Sequence, residues 1–438
     1  MVEAIANGVE DKLIDGLSFK MQPGASYVVD RRSVTYHPQG SNIYKATGGT
    51  KLIRILLTGD NWLDPSTFRI MFDVRNNGPT AKKLYVLGGP HCFFRRMRIL
   101  AAGQLVEDID NYNRIHEMML SLIASESREN QAAEAFGSNW NTTSQNYDTT
   151  QGIKGGQALT VLFKPLSGIL NQNKMLPIRY APITIELELS DGNVDAIVDP
   201  SLTGDAYDDT NVSTDWQIEN VQVKVDVCTL DNALDNSYAQ HLLSGKSLPI
   251  SYNTFVSQLQ STNATDKNLI NVSRALTRLK SVFVTMHRTD TDNVQRKFWN
   301  NFFSPMQPEN KTALTHNSDG EFEFQLQIGS KLFPEYPIRS HNEAYYQLAK
   351  CLGVQSSAVH NFDITAREYR SHKFILGTDC EKVLDAGFTG INTRAGDLMT
   401  VKFDYRSADT NRRADRIHII LHSDQILEIR DSGCQVYD

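Results

Sequence analysis

Five places in this sequence bring together groups that could do chemistry. His116-Glu117 opens an HExxH pattern, whose two histidines one helical turn apart would hold zinc while the glutamate served as general base. Leu120 stands where the second histidine is required. His418 and His422 share an i, i+4 spacing, but in a strand-like run, where they fall on one face about 13 Å apart. A metal there would need further ligands, and a half-exposed strand histidine is the simpler reading. His91-Cys92 could activate a thiol, although a cysteine beside an apolar strand is more often a buried packing residue. Ser244-Gly245-Lys246-Ser247 ends like a phosphate-binding loop. That loop needs a glycine at 240, where Gln240 stands, and no strand leads into it. Seven aspartates (Asp191, Asp195, Asp199, Asp205, Asp208, Asp209 and Asp215) crowd one segment, yet their spacing does not match a calcium loop closed by glutamate. They read as a solvated surface loop. No GxSxG or GxGxxG occurs, and the eleven histidines are scattered. These residues assemble no catalytic, cofactor or metal site, and the chain reads as a protein that is not an enzyme.

The totals narrow the partner class. A net charge of -7 over 438 residues disfavours a polyanion as direct ligand, so no sequence-specific nucleic-acid binding is expected. Phe93-Phe94-Arg95-Arg96-Met97-Arg98 interleaves aromatic and basic residues, but arginine and aromatics are also enriched at protein contacts, and a subunit contact is the reading favoured here. The five cysteines (Cys92, Cys228, Cys351, Cys380, Cys434) form no CxxC pair and suit a reducing compartment. The N-terminus carries acids where a secretory signal carries bases, and no run approaches the ~20 apolar residues of a membrane span. The five Asn-x-Ser/Thr sequons, at Asn141, Asn211, Asn263, Asn271 and Asn310, carry little weight without such a signal.

The elements that must position these residues are mainly strands. The key stretch is 160–190: an apolar run closed by Pro165, a turn-rich segment with Gly168 and Pro177, then Ile183-Thr184-Ile185-Glu186-Leu187-Glu188-Leu189 in strict alternation. Such alternation marks a half-buried antiparallel strand. Further strands are expected at 51–57, 67–74, 91–100, 105–109 and 221–227, then at 248–259, 278–286, 321–328, 373–376, 399–403 and 417–421. One amphipathic helix is expected over 112–124, capped by Asp110 or Asn111, and one over 341–353, opened by the capping box Ser340-His341-Asn342-Glu343. A third, 231–244, is stopped by Gly245 and connects two halves. Residues 138–156, 190–215 and 304–320 read as long loops, and the last residues, 433–438, as a short polar-aromatic tail.

The two halves repeat each other in order of parts: strands, one helix, a polar loop, a Gly-containing turn segment, an alternating strand and a closing strand. Short strands with turn signals between them argue for β-sandwiches, and two of ~200 residues fit the length. Over residues 28–438 the order and local wording resemble the double jelly-roll major capsid proteins of DNA viruses, nearest the Polinton-like virus, adintovirus and virophage branch. The stretch from Phe163 to Leu189 carries the resemblance, with Gly103-Gln104 before the first helix. Before the second stands Ile328-Gly329-Ser330-Lys331-Leu332-Phe333-Pro334-Glu335-Tyr336-Pro337.

The resemblance implies an all-β fold of two tandem antiparallel eight-stranded jelly rolls with one short helix inserted in each. It implies an N-terminal arm (1–27), a first jelly roll (28–230), a connector helix (231–246) and a second jelly roll (247–438). It further implies a major capsid protein that trimerises into a pseudo-hexameric capsomer and tiles an icosahedral shell, alongside penton and minor capsid proteins. Such a protein resides in the virion and is assembled inside the host cell, and the long loops would form its outer tower or its clasps. The rival is a jelly-roll carbohydrate-binding or cupin-like metal protein, which would show an aromatic-lined or three-histidine pocket.

Overall fold

The computed structural model describes residues 27–438, apart from 87, 124–126, 129–130, 132, 137–139, 142–145, 148–151, 192–211, 263–266, 288–301, 303, 305–321, 354–363, 372, 384–387, 395–397 and 406–412. The N-terminal arm and most of the three expected tower loops therefore lie outside the described residues.

Eight principal strands build the first half: β1 (Val28–Tyr36), β2 (Leu52–Leu57), β3 (Trp62–Asn76), β4 (Phe94–Ala101), β5 (Gln104–Asp110), β6 (Ala158–Phe163), β7 (Ile183–Leu189) and β8 (Trp216–Leu230). They form two antiparallel sheets, ordered β1-β8-β3-β6 and β2-β7-β4-β5. The second half has β9 (Leu248–Ser261), β10 (Lys267–Val272), β11 (Leu279–His287), β12 (Phe322–Ile328), β13 (Lys331–Ile338), β14 (Leu376–Asp379), β15 (Met399–Tyr405) and β16 (Arg416–Arg430). Its sheets run β9-β16-β11-β14 and β10-β15-β12-β13. Adding eight to every strand of the first half gives the second. A further strand, β17 (Gly433–Tyr437), pairs with the end of β16.

Alternation explains the sandwiches. Along β3, Phe68, Ile70, Phe72 and Val74 are fully buried while the residues between them are half-exposed, so one face of the strand lines the core. Phe72 meets Phe93, Phe94 and Phe163 at ring distances of 6.3, 5.4 and 6.2 Å, all edge-on, the orientation that the ring quadrupoles favour. In the second half Phe322 packs edge-on against Phe374 at 5.8 Å and stacks on Phe403 at 5.6 Å. β4 turns into β5 through Ala102 and Gly103, at φ 49° and 83°, the left-handed pair that a two-residue hairpin requires.

Among the described residues the helices are α1 (Tyr112–Ser121), α2 (Gly168–Asn171), α3 (Asn232–Leu243), α4 (His341–Cys351) and α5 (Ala366–Ser371). The expected helix in each half is present, each two or three residues shorter than read, and short α2 and α5 are additional. α3 stands where a helix was expected: Asp231 Oδ2 accepts from Ala233 N, and Gly245 at φ 81° ends it. It lies on the first half, with Tyr238 packed on Trp62 at 4.8 Å and Asp235 paired with Arg179. Asn111 does precede α1, but at φ 51° its side chain makes no cap bond, and its amide donates instead to Ser257 Oγ in the second half.

The capping box before α4 forms. Ser340 Oγ accepts from Glu343 N, and Glu343 Oε2 accepts from Arg339 N, one residue earlier than the usual reciprocal bond. Ser340→Ala should cost ~1 kcal/mol, read as a lower midpoint in a denaturant titration with unchanged slope.

Candidate functional site

The sequence-singled groups of the first half do meet. The 3-10 turn Pro90–Phe93 points His91 at α1, where His91 Nε2 lies 2.9 Å from Glu117 Oε2. Arg128 donates to the other oxygen, Glu117 Oε1. The His116 ring lies 4.2 Å from that of His91, with Tyr112 edge-on behind it. Burial works to raise the Glu117 pKa, but Arg128 and His91 outweigh it and hold the carboxyl at about 2. Burial, then the neighbouring His91, pushes His116 well below its usual value. Gly88 is required here: at φ 110° it is left-handed, and a Cβ on it would lie 2.9 Å from Glu117 Oε2. With both carboxylate oxygens occupied and every ring buried, the cluster ties α1 to the turn before β4 and offers no approach for a substrate. Cys92 is buried in the core beside it.

On β16 His422 is the half-exposed strand residue expected, and His418 is not. His418 is fully buried, 6.2 Å from the His287 ring, and burial followed by the charge of Arg114 in α1 brings it to about 3. His422 stacks on Phe255 at 4.8 Å and shares a 3.1 Å hydrogen bond with Ser281 Oγ; burial, then Lys280, brings it too to about 3. The reason is tertiary. β16 is an inner strand with Ile417 to Leu421 buried on both faces, so no face of that run is left to solvent. Ser244 to Ser247 runs from the C-cap of α3 to the residue before β9, and holds no phosphate loop.

The aromatic-basic run resolves into two layers. Phe93, Phe94 and Met97 are core, while Arg96 pairs with Asp108 through two 2.7 Å bonds and Arg98 pairs with Glu186 at 2.9 Å. These arginines serve carboxylates on neighbouring strands of their own sheet. Asp191 pairs with Lys51, and the aspartates from 195 to 209 lie outside the described residues. Among the described residues, no three His, Cys, Asp or Glu side chains gather as a metal cage, and no helix is long and apolar enough to cross a membrane.

What sequence reading missed is the junction between the halves. There the β5 edge of the first half and α2 meet the β9 edge of the second. Tyr252 Oη donates to Val106 O at 2.9 Å, and Ser257 Oγ to Asp110 O at 2.8 Å. Glu107, 1% exposed, accepts from Gly168 N at 2.9 Å, from Ser167 Oγ and from Ile169 N, with Thr254 also bonding to it from across the junction. Burial raises its carboxyl to about 7 against the pull of these donors. The one available signal was a carboxylate in an apolar register, since Glu107 falls on the same face of the strand as Leu105 and Ile109. Apolar side chains close the seam, with Ala101, Val106 and Ile169 facing Leu427 and Ile429.

No protein-family model and no curated protein matches this chain. Solved structures do. PBCV-1 VP54, fitted into a reconstruction of the virophage Sputnik, aligns with a TM-score of 0.63 at 11% identity, covering 96% of this chain and all of that one. The Faustovirus major capsid protein aligns at 0.55 with 8% identity over 95% and 94% of the two chains. The mavirus major capsid protein aligns at 0.50 with 11% identity over 96% and 92%. The chain has the double jelly-roll fold. The all-β expectation of two antiparallel eight-stranded sandwiches therefore holds. Each jelly roll presents edge strands, β1, β6, β2 and β5 in the first and β9, β14, β10 and β13 in the second, and among the described residues β5 of the first meets β9 of the second.

Proposed function

We propose that this chain is a major capsid protein that trimerises into a pseudo-hexameric capsomer and tiles an icosahedral shell. The observation that carries this reading is the junction. Two jelly rolls of identical sheet order are fixed edge to edge through different surfaces, so a single chain supplies two of six similar corners. The fold likeness to the Faustovirus and mavirus major capsid proteins supports it. A head-to-tail contact of this kind generates a closed ring when its rotation divides the circle, and a step of about one sixth closes with three chains. In this reading residues 28–230 and 247–438 are the two modules, 231–246 the connector and 1–27 the arm. The protein has no catalytic role, is assembled in the host cell and resides in the virion with penton and minor capsid proteins.

Size-exclusion chromatography with light scattering should give about three times 49.3 kDa, and electron micrographs should show hexagonal particles. A monodisperse, folded monomer at micromolar concentration would overturn the proposal.

A further inference from the structure

Among the described residues, the intrachain junction uses one face of each jelly roll and leaves the equivalent faces open. Adding eight turns the β5 edge into β13, and subtracting eight turns the β9 edge into β1. The α2 segment has its counterpart as well. Residues 168–181 link β6 to β7, and there Leu176 bridges to Leu63 near the start of β3. Residues 380–398 link β14 to β15, and there Ile391 bridges to Leu279 at the start of β11. We propose that a second copy of this chain seats its β1 against β13 and the neighbouring Phe388, repeating between subunits the contact that β9 makes with β5 and α2 within each. This assignment rests on the trimer reading above.

Exposure separates the used strands from the unused ones. On β9, Ile250, Tyr252 and Thr254 are buried at 3–4% exposure, where β5 and α2 cover the edge. β1 is exposed continuously from Val28 to Ser33, on both faces, with Val29 at 65%. β13 exposes Tyr336 at 78% and Leu332 at 38%, and the adjoining segment exposes Phe388 at 44%. Large apolar side chains open to water on both members of one predicted pair mark a contact still to be made. β1 brings the cation Arg32 and β13 the anion Glu335, both exposed. Pro334 and Pro337 remove amide donors from β13, so the contact cannot extend a ladder and must be made by side chains, as the β5–β9 contact is.

The full chain tests this by light scattering of four single variants. Val29→Asp and Tyr336→Asp place a charge on the two proposed faces; Leu52→Asp and Leu269→Asp do so on β2 and β10, the equivalent edges on the other side of each jelly roll. All four sites are exposed, and melting curves check that each variant folds. Expected are trimers for the parent, Leu52→Asp and Leu269→Asp, and a threefold fall in mass for Val29→Asp and Tyr336→Asp with melting preserved. A trimeric parent whose Val29→Asp and Tyr336→Asp variants stay trimeric overturns this assignment alone. A monomeric parent overturns the trimer reading and this inference with it.

Discussion

Gly168→Ala should open the junction between the jelly rolls. A Cβ at this position would lie 1.6 Å from Asn253 O and 2.7 Å from Asn253 C, both backbone atoms of β9. A flexible side chain can move aside, but a strand paired along its length with β16 cannot without breaking its register. The close approach is needed because Gly168 N also donates to Glu107, which holds α2 against the edge of the first jelly roll. Overpacking of this kind costs ~3 kcal/mol at the upper end of its range, and more where backbone must shift. Thermal unfolding should show a lower midpoint or two separated transitions, with protease cleavage in the 231–246 connector accelerated. Gly59→Ala is the control: its Cβ would meet side-chain ends alone, Ile178 Cδ1 at 3.3 Å and Tyr36 Oη at 3.8 Å, and it should melt close to the parent. An unchanged melting curve for Gly168→Ala would show that the two jelly rolls are not rigidly joined.

Glu107 should make stability fall as pH rises from 4.5 to 7. Its carboxyl titrates at 4.5 when unfolded and near 7 when buried at the junction, so over that window the folded chain binds the extra proton. Its stabilising contribution is full below 4.5 and lost as pH passes 7. At 1.36 kcal/mol per pH unit the window is worth ~3 kcal/mol. Glu117 titrates in the opposite sense and elsewhere: its contribution is present above 4.5 and lost as pH falls toward 2, so the two windows do not overlap. Denaturant titrations at pH 4.5, 6 and 8 on the parent and on Glu107→Gln should differ by this slope. Parallel curves would mean that the Glu107 carboxyl is ionised throughout. In the capsid reading, mild acidity then tightens the link between the two jelly rolls of each subunit.

Much of the architecture was legible because period-2 alternation is a local property. The 183–189 run, the apolar positions of β3 and β15, the helix ended by Gly245 and the Ser340 capping box are each decided within a few residues, and each stands where the sequence placed it. The strands that escaped notice did so for different reasons. β1, written VVDRRSVTY, has no alternation over its exposed first six residues, and only its end, through Val34 and Tyr36, packs on the core. β13 carries two prolines, which edge strands tolerate and inner strands do not. The last residues, expected as a tail, form β17 because the end of β16 offers them an open edge.

Chemistry was less legible than fold. The sequence showed that no single motif was complete, and that much was local. That His91 reaches Glu117, that His418 is sealed beside Arg114 and that the arginines of 95–98 answer carboxylates on other strands were settled by sheet order and by the packing of one jelly roll on the other. The sequence by itself determined two similar sandwiches with a helix between them, because burial of alternate side chains follows from residue order. Only the tertiary structure decided which edges meet and which stay open, because an edge contact joins residues some 150 positions apart whose partnership leaves no periodic trace.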